Sequence, residues 1–156
     1  MKRISFLPLV LLATFCASGP STTQTAAPGH GAIVLEITPS PIVAHPVSGA
    51  MYEFPFEVIV RETGGAHVTV DKVTVDVFAF DRLRVGGETY DAAQLAQLGY
   101  TVSIPAGTER RFKFSPRREV TDDRVFGSLS AQLRVDAHDD TGTATSATTA
   151  VSVTRQ

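Results

Sequence analysis

The sequence predicts an all-β fold: a two-sheet antiparallel sandwich of about seven strands with one short helix. Three observations carry this. From Ala32 onward apolar residues recur at every second position, the period of a strand with one buried face. Gly, Pro and Asp turn signals break the chain at short intervals. A helical pattern occurs once, over residues 92–98.

The elements follow in order. Ile33, Leu35 and Ile37 alternate with Val34, Glu36 and Thr38 to give a first strand. Pro39 and Pro41 then interrupt pairing, because neither has a backbone donor. Tyr52, Phe54, Phe56, Val58 and Val60 share one face of a long strand, opposite Glu53, Pro55, Glu57, Ile59 and Arg61. Pro55 calls for an edge or a bulge there. Thr63-Gly64-Gly65 marks a turn. Val68 and Val70 fall on even positions, whereas Val73, Val75, Val77 and Ala79 fall on odd ones. The phase flips at Asp71-Lys72, which requires a bulge, a tight turn or a change of sheet. Phe78 and Phe80 are out of phase with the valines, so the end of this strand is expected to be covered on both faces.

Gly86-Gly87 predicts a turn, with Thr89 and Tyr90 in a short strand after it. Asp91 can cap the helix, Leu95 and Leu98 lie on one side of it, and Gly99 can close it. At two turns it cannot stand alone, and it is expected as a crossover on the sandwich edge. Val102 and Ile104 give a brief strand before Pro105, and residues 111–114 alternate again before Pro116. Leu129, Ala131, Leu133, Val135 and Ala137 form a clean inward row. Asp139-Asp140-Thr141-Gly142 is a hairpin turn, and Thr149, Val151 and Val153 carry the last strand.

The first residues specify export. Lys2 and Arg3 precede an uncharged, largely apolar run from Ile4 to Phe15, and Ala17, Ser18 and Gly19 follow it. This is the layout of a secretory signal peptide over residues 1–19. The run of 12 residues falls short of the roughly 20 that a spanning helix needs. Cys16, the one cysteine of the chain, resembles the acylated cysteine of bacterial lipoproteins. Phe15 and Ala13 depart from that pattern, so cleavage after Gly19 stands beside lipidation at Cys16 as the alternative. Residues 17–31 are small, polar and rich in Pro, Gly, Ser and Thr, the composition of a flexible tether. The folded domain is then 32–156, placed in the cell envelope, anchored or periplasmic, or secreted.

The closing hairpin, VDAHDDTGTATSATTAVSVT, resembles the final strands of bacterial immunoglobulin-like and fibronectin-III-like domains. The order of features over residues 32–154 resembles the same group: a Pro-rich first connection, an aromatic second strand, a Gly-Gly turn and a Val-rich third strand. The resemblance implies an immunoglobulin-like sandwich serving as a spacer, adhesion or protein-contact module, seldom an enzyme. The two cysteines and the buried Trp of antibody-type domains are missing.

Function is bounded from several sides. Removing Lys2 and Arg3 from the 14 basic residues leaves 12 against 16 acidic ones. That balance lacks the basic footprint of a nucleic-acid binder. The sequence contains neither a Gly-x-Ser-x-Gly elbow nor a phosphate-binding Walker loop, so a non-enzymatic module without cofactor is expected. Its partner is a protein or glycan of unknown identity, and it meets a membrane only through Cys16. A small-ligand or glycan site would use Tyr90 and Tyr100, since Trp is absent. Arg117 and Arg118 close a basic, aromatic stretch from residue 109 that could meet an anionic partner; edge protection by outward charges is the favoured reading, since alternation alone explains Arg111 and Lys113. Asp136, Asp139 and Asp140 are weak candidates for calcium at a strand-to-turn junction, against their plain role in hairpin chemistry. His30, His45, His67 and His138 lack metal-ligand spacing and read as solvated loop histidines.

Overall fold

The computed structural model describes residues 29–156. The expected signal peptide, Cys16 and most of the tether lie outside the described residues.

The architecture is the expected β-sandwich. One sheet has three strands: β1 (Ile33–Thr38), β4 (Phe56–Glu62) and β8 (Glu109–Phe114), in the order β1-β4-β8. The other contains β2 (Ile42–Ser48), β3 (Met51–Glu53), β5 (Val68–Ala79), β6 (Leu83–Asp91), β9 (Arg117–Glu119), β10 (Leu129–Asp139) and β11 (Ala144–Arg155). Its order is β6-β5-β10-β11-β2-β3-β9, with the short β7 (Ser103–Ile104) added to the start of β5. Eleven strands are therefore present among the described residues where about seven were expected, because long runs are broken between sheets. Pairing is antiparallel except between β11 and β2, which run parallel.

The core follows the alternation. Val58, Val60 and Phe112 from the small sheet meet Val70, Val73, Leu133 and Val135 from the large one in a single buried cluster. Each such side chain contributes about 1.5–3 kcal/mol before the chain entropy that opposes it. The phase flip at Asp71 is a bulge: Lys72 faces Asp136 while Val70 faces Ala137, so Asp71 is the extra residue. The bulge lets one strand keep two valine series inward.

Three expectations need correction. Residues 52–60 are not one strand: the chain leaves β3, passes Phe54-Pro55 and enters β4 in the opposite sheet. Proline breaks the ladder at that corner, as Pro116 does between β8 and β9, and the amide of Phe54 donates to the carbonyl of Pro116 at 2.9 Å. Gly86 and Gly87 are not a turn but lie inside β6. A Cβ on Gly87 would stand 2.7 Å from the carbonyl oxygen of Val75, so Gly87 meets a close approach and not a reversal. The reversal is Phe80-Asp81-Arg82: Phe80 and Asp81 hold positive φ (53° and 57°) and the amide of Arg82 donates to the carbonyl of Ala79 at 3.3 Å, a turn of the primed type. Phe80 is consequently 68% exposed instead of covered.

The helix α1 (Ala92–Gln97) is present with the expected cap. Asp91 accepts from the amide of Gln94, whose side chain accepts from the amide of Asp91. Leu95 is buried and Leu98 exposed, so one leucine anchors it. A 3-10 turn over Asp123–Ser128, unforeseen in the sequence, buries Phe126 against Tyr52 at 5.0 Å between ring centroids.

Candidate functional site

The three corners at Pro39-Ser40-Pro41, Pro55 and Pro116 carry the chain between the small sheet and the large one. Beyond Phe56 and Phe114 the large sheet therefore has no small-sheet strand over it. It curls instead, and its outermost strands approach each other: Arg118 of β9 forms an ion pair with Glu88 of β6. The space enclosed is a cavity of about 340 Å³, near the lower end of the range for small-molecule pockets.

Alternation supplies its walls. Val75 and Val77 of β5, Leu129 and Ala131 of β10, Val153 of β11 and Ile42 of β2 form the floor. Phe54 and Phe56 close the side toward the core, and Val120 and Val125 lie along the segment after β9. The polar lining is confined to exposed or half-exposed residues, chiefly Glu88, Tyr90, Arg118, Glu119, Thr121 and Asp122. These define the mouth.

The polar groups at the mouth engage one another. Glu88 accepts from the Tyr90 hydroxyl and from Arg118. Arg118 also donates to the carbonyl of Arg117 at 2.8 Å. Asp122 takes the Arg124 guanidinium at 2.9 and 3.0 Å, and that hydrogen bonding holds its carboxyl below the usual range. The Tyr90 ring is half-buried, 4.7 Å from Phe114, and burial pushes its hydroxyl above the ordinary tyrosine value.

Of the residues singled out from sequence, Tyr90 and Arg118 meet at this mouth. Arg117 points elsewhere, 3.3 Å from Glu53. Tyr100 does not line the cavity; its ring stands 5.4 Å from Phe112 and 6.4 Å from Phe114, and its hydroxyl is already occupied. Its hydroxyl donates to the carbonyl of Lys113 at 2.6 Å and accepts from the amide of Lys113 at 2.9 Å. It stands in for a neighbouring strand along the free edge of β8.

Asp136, Asp139 and Asp140 do not converge. Asp136 pairs with Arg134 and Lys72, and Asp140 with His67. Asp139 is buried and accepts from the Thr141 hydroxyl and from the amides of Gly31, Thr141 and Thr143. The Thr141 hydroxyl, and after it those amides, hold its carboxyl far below the ordinary range against the opposing effect of burial. This is hairpin chemistry with an added clamp on the entering chain. Among the described residues no three His, Cys, Asp or Glu side chains form a metal-ligand group. His45 and His138 lie on strands β2 and β10 instead of loops, against Gln156 and Asp71.

Sequence reasoning missed Glu62, the last residue of β4, which is 1% exposed. Burial alone would raise its carboxyl, but amide donors from Gly107, Ala32, Gly64 and Gly65 outweigh that and lower it. A glutamate directly before Thr63-Gly64-Gly65 is the signal that could have found it, since successive glycine amides can converge on one carboxylate. Glu62 and Asp139 thus receive the adjacent amides of Ala32 and Gly31. They fix the pole at which the chain enters the domain, and the cavity lies toward the other pole.

No family model matches the sequence, and no curated protein does. Solved structures share its fold. The Northeast Structural Genomics Consortium target SoR45 is similar over 82% of this chain and 90% of its own, with a TM-score of 0.52 and 9% identity. A Bordetella pertussis protein described as ApaA is similar over 81% of this chain and 98% of its own, with a TM-score of 0.54 and 12% identity. The CARDB domain of the PF1109 protein from Pyrococcus furiosus, solved with di-metal ions, matches at a TM-score of 0.43 and 16% identity over 84% of this chain and 100% of its own, a level that bears on neither fold nor function here. The likeness to the first two is one of fold alone.

Proposed function

We propose that this chain is an exported, non-catalytic binding module whose sandwich takes up a small apolar ligand. The observation that supports this is the hydrocarbon-lined cavity of about 340 Å³ between the curled edges of the large sheet. Such a space favours an apolar ligand over a glycan, because sugar hydroxyls would lose water there without gaining partners. Residues 1–19 direct export and residues 17–31 tether the domain, by acyl chains on Cys16 or as a free N-terminal segment. The test is methyl NMR of the purified protein with a neutral hydrophobe such as 1-decanol. Saturable shifts confined to Val75, Val77, Ala131 and Val153 are the expected result, and unmoved methyls end the proposal. Intact mass of the membrane fraction decides anchoring: acylated Cys16 supports it, and a chain cut after Gly19 refutes it.

A second reading, a protein-contact module, is favoured by the exposed row Phe80, Leu83 and Val85 at the β5–β6 hairpin. Chemical crosslinking from a cysteine placed at Asp81 tests it in whole cells. A discrete adduct lost on Phe80→Ser supports it, and the absence of any adduct counts against it.

A further inference from the structure

We infer that the ligand of this cavity is an uncharged, slender hydrophobe of about ten heavy atoms, and that the mouth discriminates against carboxylates. The inference rests on the binding reading above and names the chemical class that reading leaves open. Three observations carry it.

The first is size. At roughly 30 Å³ for a group as large as a water molecule, 340 Å³ holds on the order of ten methylenes. The second is the interior. The deep walls are Val75, Val77, Ala131, Leu129 and Val153, and among the described residues no buried side-chain nitrogen or oxygen lacks a hydrogen-bond partner. Nothing inside calls for a polar atom on the ligand, so its buried part is hydrocarbon throughout. The third is the charge of the mouth. Glu88 and Glu119 share the lining with a single cation, Arg118, which is already divided between Glu88 and the carbonyl of Arg117, while the third lining acid, Asp122, is held by Arg124. A ligand carboxylate would have to displace Glu88 from Arg118, leaving that carboxylate with Tyr90 alone. A hydroxyl or ester at the same place has no such conflict.

The experiment compares primary alcohols of six to fourteen carbons with the carboxylates of equal length, by methyl NMR on the full exported protein at low salt. For the alcohols, affinity should rise about fourfold per methylene up to about ten carbons and then level off. Each carboxylate should bind roughly tenfold more weakly than its alcohol, a gap that narrows in Glu119→Gln and in high salt. Carboxylates that equal or surpass the alcohols, and lose affinity in Arg118→Gln, would show an anion site and overturn the inference while leaving the binding reading intact. Affinity that keeps climbing about fourfold per methylene from ten to fourteen carbons would also overturn it, since the chain would then lie outside an enclosed space. If neither series moves the methyls, the binding reading itself fails.

Discussion

Arg118 on β9 forms an ion pair with Glu88 on β6, so one contact joins the two outermost strands of the large sheet. The sheet is open as a ladder and nearly closed as a surface. The remaining gap is the mouth of the cavity. A half-exposed pair of this kind is worth little as stabilisation, and its consequence lies in geometry.

The first prediction concerns that pair. Arg118→Ala, Glu88→Ala and the double variant should each unfold within about 1 kcal/mol of the parent, with a coupling energy no larger than that in the double-mutant cycle. The rate at which a cavity ligand leaves should rise in both single variants. Urea unfolding and line-shape NMR read the two quantities. A coupling above about 2 kcal/mol would mean that the pair holds the fold together.

The second concerns packing. Ala131 is buried on the cavity floor. Ala131→Leu places hydrocarbon into open space and should be neutral or stabilising by up to about 1 kcal/mol, while abolishing ligand uptake. In a filled core the same change costs about 1–3 kcal/mol. Thermal unfolding distinguishes the two, and a loss of that size would argue that the cavity closes in solution.

The third concerns acid. Glu62 and Asp139 have carboxyls lowered in the folded state. Their contribution is fully present above the unfolded values, about 4.3 and 3.9, and is lost as pH falls through the lower folded ones. Stability should therefore be flat near neutrality and decline below about pH 5. Glu62→Gln should cost about 2 kcal/mol at pH 7 by stranding amides of Ala32 and Gly107, and should flatten the acid limb. Denaturant titrations across pH measure both.

The fourth concerns the hairpin tip. Phe80 is exposed and holds a positive φ of 53°, a conformation that costs an ordinary L-residue about 1–2 kcal/mol. Phe80→Asn should raise stability by about 1 kcal/mol, measured by thermal melting. A decrease would show that the ring packs on the neighbouring surface in solution.

The fifth concerns the free edge of β8. Tyr100→Phe removes both bonds to Lys113 and should cost about 1–2 kcal/mol without changing ligand uptake. Lost binding at unchanged stability would return Tyr100 to the ligand site.

Much of this was legible in the order of residues. Side chains alternate because successive Cβ atoms point to opposite faces, so the inward rows of β5 and β10 could be read directly, as could the break in phase at Asp71, the capped helix after Asp91 and the hairpin at Asp139. Local chemistry fixes each of these within a few residues. The prolines were legible as breaks, but not as the corners where paired strands pass between sheets. The turn at Phe80-Asp81 was hidden because the sequence places its glycines at 86 and 87, inside β6, where Gly87 serves a close approach and not a reversal.

What the sequence determined by itself is the fold class and most of the strand faces, since each depends on neighbours along the chain. Only the tertiary structure decided that β6 and β9 meet, that Tyr90 and Arg118 share a mouth while Tyr100 and Arg117 do not, and that Glu62 is buried. Those relations depend on how far a sheet twists and on which segments its curl brings together, and no local pattern of side chains encodes a distance across the fold.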